Sequence, residues 1–213
     1  AECYNGQFDQ IPVEFFYEEI LLARNEDGET VFHLAAANGC LQSLPKPFLN
    51  LENLIARDGS GNTAVHKATQ TGNLMGIPHE FRSQENLMLR NDWGESALHL
   101  AASCGRLGQI PLAFLSAENL LAMDKNGNNV AHMAVSGYNS NLRELRASCF
   151  SKELLLSRNL EGSTVLHSAA GSNCLLQIPA EFLTSTNLLE VDNDGNTVAH
   201  VAATYGNLAQ IPE

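Results

Sequence analysis

Six histidines recur along the 213-residue chain at nearly equal intervals, and histidine is the side chain best suited to metal binding and to acid–base catalysis near neutral pH. Each of them lies five residues after a glycine and two residues before an alanine. The histidines of this column are His33, His66, His99, His132, His167 and His200. Successive members belong to successive repeats, and packed helices would hold them about 10 Å apart, whereas metal–nitrogen bonds are about 2 Å long. The spacing therefore predicts a structural column and no metal site; His79, outside the column, is predicted to be exposed.

Other residue patterns that could support catalysis are missing or weak. The sequence contains no G-x-S-x-G, no H-E-x-x-H and no glycine-rich phosphate loop. Asp192 and Asp194 resemble a fragment of a calcium loop, but the remaining ligand positions are absent, which favours an ordinary turn. The odd, scattered cysteines form no C-x-x-C pair and are predicted to be free structural thiols in a reducing compartment. These observations predict that the chain is not an enzyme and binds no cofactor.

The charge distribution bears on the class of partner. The net charge is −12, made up of −7 in residues 1–56, +1 in residues 57–158 and −6 in residues 159–213. Acidic ends argue against nucleic-acid binding, which requires a contiguous basic surface. No apolar run of about 18 residues is present, so we expect no membrane-spanning helix. We therefore expect a protein partner, and no nucleic acid, membrane or small-molecule substrate. We also expect the chain to be a monomer in the cytoplasm.

The sequence repeats itself over nearly its whole length. Aligned on their glycines, the segments begin GETVFHLAAANG, GNTAVHKATQTG, GESALHLAASCG, GNNVAHMAVSGY, GSTVLHSAAGSN and GNTVAHVAATYG, at intervals of 33, 33, 33, 35 and 33 residues. A Leu-Pro or Ile-Pro pair recurs in the second half of most repeats. The boundaries predict one domain over residues 1–213, with an N-terminal half repeat (1–27), five repeats (28–60, 61–93, 94–126, 127–161 and 162–194) and a partial repeat (195–213).

The segment G-x-T-x-x-H-x-A-A resembles the T-P-L-H-x-A signature of the ankyrin family, and the 33-residue period matches the length of its repeat. The resemblance covers essentially the whole chain. It implies an all-α, ankyrin-type solenoid of stacked helix–turn–helix repeats with short connecting loops. In that family the histidine hydrogen-bonds to the motif threonine and to neighbouring backbone. A leucine-rich repeat is disfavoured because the period exceeds 29 residues.

The second half of each repeat departs from the family pattern. A proline inside a helix removes a hydrogen bond and costs about 3 kcal/mol, so we expect the second helix to begin at the proline. Polar residues further along are suited to capping an additional helical turn: Asn50, Ser83, Ser116, Ser151 and Thr184. The fourth repeat, 127–161, is two residues longer and has no proline, which predicts a longer, continuous second helix.

Positions that vary between repeats are the candidates for partner binding. Arg24, Arg57 and Arg90 lie four residues before successive glycines, which would place them in a row on the loop side; the alternative is that they pair with Asp or Asn of the loops. Trp93, the sole tryptophan, precedes Gly94 at a predicted loop tip. The position after the histidine holds different residues in different repeats, and Lys67, Leu100 and Met133 are our candidates there.

Two functions remain open at this point. The first is a protein-interaction module that binds through its loop tips and the concave inner-helix face. The second is the targeting or substrate-recruiting part of a larger enzyme, or of a bacterial effector acting in the host cytosol, since the repeat variant is similar to bacterial ankyrin-repeat proteins.

Overall fold

The computed structural model describes residues 18–136 and 142–211, without the side chain of Glu18, and this part of the chain is built from α-helices and 3-10 turns. Extended structure in the same ranges is limited to two isolated bridges, Arg158 with Thr164 and Val191 with Thr197. The prediction of an all-α fold is confirmed. The α-helices are α1 (Glu18–Leu22), α2 (Val31–Ala37), α3 (Leu51–Ile55), α4 (Ala64–Thr71), α5 (Gln84–Leu87), α6 (Ala97–Ser103), α7 (Ala117–Leu121), α8 (Val130–Ser136), α9 (Lys152–Leu156), α10 (Val165–Gly171), α11 (Ser185–Leu188) and α12 (Val198–Thr204).

The first helix of each repeat has clear start and stop signals. Thr30, Thr63, Thr164 and Thr197 are the N-caps of α2, α4, α10 and α12, and each forms a capping box with the histidine three residues later. At the other end, Gly72 has a φ of 83°, in the left-handed region that glycine reaches without strain. Asn173 takes the same role in the fifth repeat with a φ of 59°.

Two 3-10 turns and a short α-helix fill the second half of the repeat. The turns span Leu41–Ser43, Lys46–Phe48, Leu74–Gly76, His79–Phe81, Leu107–Gln109, Leu112–Phe114, Leu142–Glu144, Ala147–Cys149, Leu175–Gln177, Ala180–Phe182 and Leu208–Gln210. Short helices such as α3, α5 and α7 follow. The predicted caps are confirmed: the side chains of Asn50, Ser83, Ser116, Ser151 and Thr184 each accept a hydrogen bond from the backbone N–H three residues later.

The prediction of a second helix beginning at the proline is wrong. Pro45 and Pro78 have ψ angles of 130° and 142°, so each stands outside a helix and caps a three-residue 3-10 turn. The preceding residues Leu44 and Ile77 are extended as well, with ψ angles of 148° and 129°. A residue before proline avoids the α region, and this restriction interrupts the chain into short turns.

The fourth repeat follows the same plan, which corrects the prediction of a longer continuous helix. Its described part has turns at Leu142–Glu144 and Ala147–Cys149 before α9. Arg146 occupies the proline position with φ −69° and ψ 154°, close to the backbone of Pro45. Leu142 and Leu145 are buried like Leu74 and Ile77 of the second repeat. Burial of this leucine pair thus favours the same turn even where no proline is present. Residues 137–141 lie outside the described residues.

The contacts divide the chain into two compact units, residues 1–97 and 98–213. In the first unit α2 packs on α4, and in the second α8 packs on α10 and α10 on α12, so neighbouring helices pack in sequence order. Each unit has an apolar core formed by helix alanines and by leucines of the 3-10 turns. Leu41, Leu54 and Leu74 belong to the first core, and Leu107, Leu142 and Leu175 to the second. In the described residues, the helices are too short and too polar to cross a lipid bilayer.

Candidate protein-binding surface

The loop before each first helix is organised by an Asn or Asp three residues before its glycine. In the loop at 58–62, Oδ1 of Asp58 accepts hydrogen bonds of 2.8 Å from the N–H groups of Ser60 and Asn62. Gly61 closes the turn with a φ of 75°, and a Cβ there would lie 2.5 Å from Oδ1 of Asp92 in the next loop. Only glycine satisfies both the dihedral angle and the close approach.

Neighbouring loops are joined by backbone hydrogen bonds. The N–H of Gly59 donates to the carbonyl of Asp27 at 2.8 Å, and the N–H of Asp92 donates to the carbonyl of Ser60 at 3.0 Å. In the second unit the corresponding bond joins the N–H of Leu160 to the carbonyl of Asn126 at 2.9 Å. The loops therefore form a connected face in each unit, along which side chains have fixed relative positions.

The arginines four residues before the glycines also join loops. Nη1 of Arg24 donates to the carbonyls of Gly28 and Arg57, each at 2.5 Å. Nη1 of Arg57 donates to the carbonyls of Gly61 and Arg90, at 3.1 and 2.6 Å. The alternative prediction was that the arginines pair with Asp or Asn side chains of the loops. It is wrong about the acceptor, because Arg24 and Arg57 donate to backbone carbonyls. Arg24 and Arg57 are exposed, whereas Arg90 is half-buried and donates to the carbonyl of Gly94. The binding of a partner by these three arginines stays a prediction.

The histidine column bonds each repeat to the next, as the structural interpretation predicted. Nδ1 of His66 accepts from the N–H of Thr63 at 3.2 Å, so Nδ1 carries no proton and Nε2 is the protonated nitrogen. Nε2 then donates to the carbonyls of Leu89 and Glu95, at 3.0 and 3.2 Å. Nε2 of His33 is within 2.9 Å of the carbonyl oxygen of Ala56 and 3.0 Å of that of Asn62.

Burial favours the neutral form of these rings. Desolvation lowers the pKa of His66 and of His132 to about 4, and it lowers the pKa of His33 and His167 as well. A proton on Nδ1 would also remove the acceptor that Thr63 uses in the second repeat. His33, His66, His132 and His167 are therefore neutral hydrogen-bonding groups near physiological pH.

Lys67 is bound within its unit by two carboxylates. Its ammonium lies 2.7 Å from Oε1 of Glu29 and 3.0 Å from Oδ2 of Asp58. The hydrogen bond from Lys67 lowers the pKa of Glu29. Burial alone would raise the pKa of Asp58, but the hydrogen bonds from Lys67, Ser60 and Asn62 lower it below its ordinary value.

The side chains at the variable position after the histidine are too buried to form a continuous surface for partner binding. Leu100 is 4% exposed, so it offers almost no surface, which corrects its place among the candidate contact residues. Met133 and Lys67 are half-buried. Their contact with a partner stays a prediction.

Trp93 is an exposed aromatic residue on the loop face. Its backbone N–H is fixed by a 3.0 Å hydrogen bond to Oδ1 of Asn91, yet 53% of the residue is exposed. The loop tip predicted from sequence is therefore where Trp93 lies. The contact of Trp93 with a partner stays a prediction.

Sequence reasoning missed a regular alternation in the loops. The position three residues before the glycine is Asn and Asp in strict turn: Asn25, Asp58, Asn91, Asp124, Asn159 and Asp192. Neighbouring loops touch there, since Nδ2 of Asn91 donates to Oδ1 of Asn62 and Nδ2 of Asn159 donates to Oδ1 of Asn128. At Asn91 and Asn159 the alternation thus supplies an amide donor to the preceding loop. Its signal was visible in the alignment on the glycines.

The remaining reactive groups occupy ordinary positions. Cys149 and Cys174 are free thiols, and burial raises the pKa of Cys174 to about 11, whereas Cys3 lies outside the described residues. Oδ1 of Asp192 accepts from the N–H of Asp194, as expected of a turn. Over residues 18–136 and 142–211, His, Cys, Asp and Glu side chains form no group of three or more that could hold a metal ion.

Comparison with known proteins finds no matching family model and no matching curated protein. Among solved structures, the chain is similar to a chain in the structure of a predatory endopeptidase from Bdellovibrio bacteriovorus in complex with an immunity protein. The two chains are 21% identical with a TM-score of 0.60, and the match covers 89% of this chain and 98% of the other. This likeness shows a shared fold.

That match is the finding against the expectation that the chain is not an enzyme, because the structure that contains the similar chain is a complex of an endopeptidase with an immunity protein. The expectation rested on missing sequence motifs. Such motifs identify only those sites whose residues are close in sequence, whereas catalytic residues can be assembled from distant positions on unrelated folds. The motif search was therefore too narrow to exclude catalysis.

Proposed function

We propose that this chain is a protein-binding module of the ankyrin type and that its loop face carries the binding site. The observation on which the proposal depends is Trp93, more than half exposed on a loop whose backbone is hydrogen-bonded to its neighbour. Three features support the family assignment: the 33-residue period, the threonine–histidine capping boxes and the ordered packing of first helices within each unit. The similar structure is a complex of an endopeptidase with an immunity protein, which agrees with a protein partner.

The anchoring role predicts a specific loss of binding. Immobilised wild-type chain and the variant Trp93→Ala would be compared for the proteins they retain from a lysate, quantified by mass spectrometry. A partner that contacts the indole should bind at least about tenfold more weakly to the variant, as expected for an aromatic hot spot. Leu176→Ala is the matched control, since Leu176 is also an exposed apolar residue, at 66%, but lies in a 3-10 turn and not on the loop face.

Fluorescence then tests the contact directly, because Trp93 is the sole tryptophan. Addition of the purified partner should shift the emission of Trp93 to shorter wavelength as the indole leaves water. An unchanged spectrum with a partner that binds, or equal retention by wild type and Trp93→Ala, would place the binding site elsewhere.

A second candidate function is peptidase activity, which is favoured only by the likeness to a structure named for an endopeptidase. Incubation of the purified chain with casein, followed by mass spectrometry of the products, decides between the two. New cleavage products would support this candidate, and intact substrates after prolonged incubation would leave the binding module.

A further inference from the structure

A cleft between the 3-10 turns of the first and second repeats lies apart from the loop residues considered above. It has a volume of about 490 Å³ and is lined by residues that include Lys46, Met75, Ile77, Pro78, His79 and Arg82. Ile77 is a buried part of the core, whereas Met75 is 61% exposed. The cleft therefore has an apolar base with a flexible, exposed side chain beside it.

Arg82 is the unusual residue of this cleft. The corresponding position holds Leu49, Leu115 and Leu183 in three other repeats, so packing there calls for leucine. Nη1 of Arg82 contacts the thioether sulfur of Met75 at 2.7 Å, and its Nε is buried with no hydrogen-bond partner among the described residues. A thioether is a weak acceptor, and a shielded N–H without an acceptor costs about 1–3 kcal/mol.

Other arginines of the chain show what this group lacks. Arg57 and Arg158 each donate to two backbone carbonyls, and Arg158 also pairs with Glu190 at 2.7 Å. Within the part of the chain that the structure describes, Arg82 contacts sulfur and no oxygen acceptor. An arginine that the fold neither needs nor satisfies points to an acceptor supplied from outside.

Charge identifies the kind of acceptor. The cleft is lined by the cations Lys46 and Arg82 against the single acid Glu80, in a chain with a net charge of −12. A guanidinium offers parallel N–H groups that match a carboxylate, and such charge-assisted bonds are about twice as strong as neutral ones. Met75 is unbranched and can move away from the guanidinium when a better acceptor arrives.

We propose that this cleft binds an acidic segment of a partner protein, with one carboxylate on Arg82 and an adjacent apolar side chain against Met75 and Pro78. The inference rests on the proposed protein-binding function but concerns a different face from that of Trp93. Failure here leaves the loop-face site intact, since the two tests use separate variants.

The experiment follows the side-chain Nε–H resonances of arginine in an NMR titration of the whole chain. The probe is the capped peptide Glu-Leu-Glu-Glu-Leu-Glu, and the comparison peptides carry Gln, or phosphoserine, in place of Glu. The Arg82 resonance should move downfield with the Glu peptide, while those of Arg57 and Arg158 stay fixed. The Gln peptide should have no effect.

Variants separate the cleft from general attraction. Arg82→Leu, which installs the residue of the other repeats, should keep the fold and weaken binding of the Glu peptide at least tenfold. Lys125→Gln removes the same charge from an exposed loop and should leave binding unchanged. An unmoved Arg82 resonance, equal weakening by both variants, or a response to the phosphoserine peptide alone would overturn the proposal.

Discussion

Lys67 shows how one side chain can distinguish a repeat from its neighbours. The equivalent residues are mostly apolar, as in Leu34, Leu100 and Met133, whereas Lys67 lies between Glu29 and Asp58. The side chain of Asp58 is only 2% exposed. A carboxylate so shielded depends on its cation, because a buried charge without a partner is costly.

Replacement of this cation should destabilise the first unit. We expect Lys67→Met to lower the free energy of unfolding by about 2 kcal/mol, since Asp58 would keep its backbone donors but lose its charged one. Adding Asp58→Asn should restore at least half of that loss, because asparagine occupies this loop position in alternate repeats, as at Asn25 and Asn91. Urea unfolding followed by circular dichroism measures the cycle.

Lys125→Met, at an exposed loop position, is the control and should change stability by less than about 0.5 kcal/mol. A double variant no more stable than Lys67→Met would mean that the carboxylate of Asp58 is not the source of the loss.

At the residue scale, the sequence predicted those contacts that are local. The threonine–histidine pair recurs at fixed spacing, and the resemblance to the ankyrin family implied the hydrogen bond that joins Thr63 and His66. The acceptors of Arg57 could not, because backbone carbonyls leave no mark in the sequence. The burial of Leu100 also depends on packing that periodicity alone does not give.

At the scale of an element, the proline in the second half of the repeat is not required to form the 3-10 turn that follows it. The turns at Lys46–Phe48 and Ala147–Cys149 have the same length, although one follows Pro45 and the other Arg146. Sequence reasoning took the proline as the start of a helix because the family resemblance implied two helices per repeat. The buried pair just before this position, Leu142 and Leu145 in the fourth repeat, was the better guide.

Arg146→Pro tests this account in the fourth repeat. The residue is exposed, its φ of −69° is already that of proline, and its N–H is not among the backbone donors of the described turns. We expect the variant to be as stable as wild type or more stable by about 0.4–1 kcal/mol, through a less flexible unfolded chain. Thermal and urea unfolding measure the difference.

Arg146→Ala is the matched control, since it removes the side chain without restricting φ. A loss of more than about 1 kcal/mol in the proline variant, with Arg146→Ala near wild type, would show that the fourth repeat requires the N–H of Arg146.

At the scale of the whole molecule, the histidine column makes the response to pH a property of many repeats. His66 and His132 have pKa values of about 4, below the ordinary 6.5, and the pKa values of His33 and His167 are lowered as well. The unfolded chain therefore binds more protons than the folded one between these values. The contribution of these neutral histidines to the free energy of unfolding is fully present above about pH 6.5 and is lost as the pH falls toward 4.

Each buried histidine should cost on the order of 1 kcal/mol per pH unit once the pH is well below 6.5. Domains of this size are stable by about 5–15 kcal/mol, so several histidines acting together should unfold the chain between roughly pH 6.5 and 4. The carboxylates of Glu29 and Asp58, whose pKa values are lowered, add to the loss only below about pH 4.5. Urea midpoints measured from pH 7.5 to 4.5 should be level above about pH 6.5 and decline below it.

The slope of the urea midpoint against pH tests whether the buried histidines cause the decline. His66→Gln removes one titrating ring and should flatten the dependence on pH, even though the variant is less stable at pH 7.5. His79→Gln changes an exposed histidine and should leave the slope as in wild type. If stability were equal at pH 7.5 and pH 5, or if the two variants altered the slope alike, the histidines would not be held neutral by the fold. The repeated hydrogen bonds to the following repeat could then not be the reason that histidine recurs at this position.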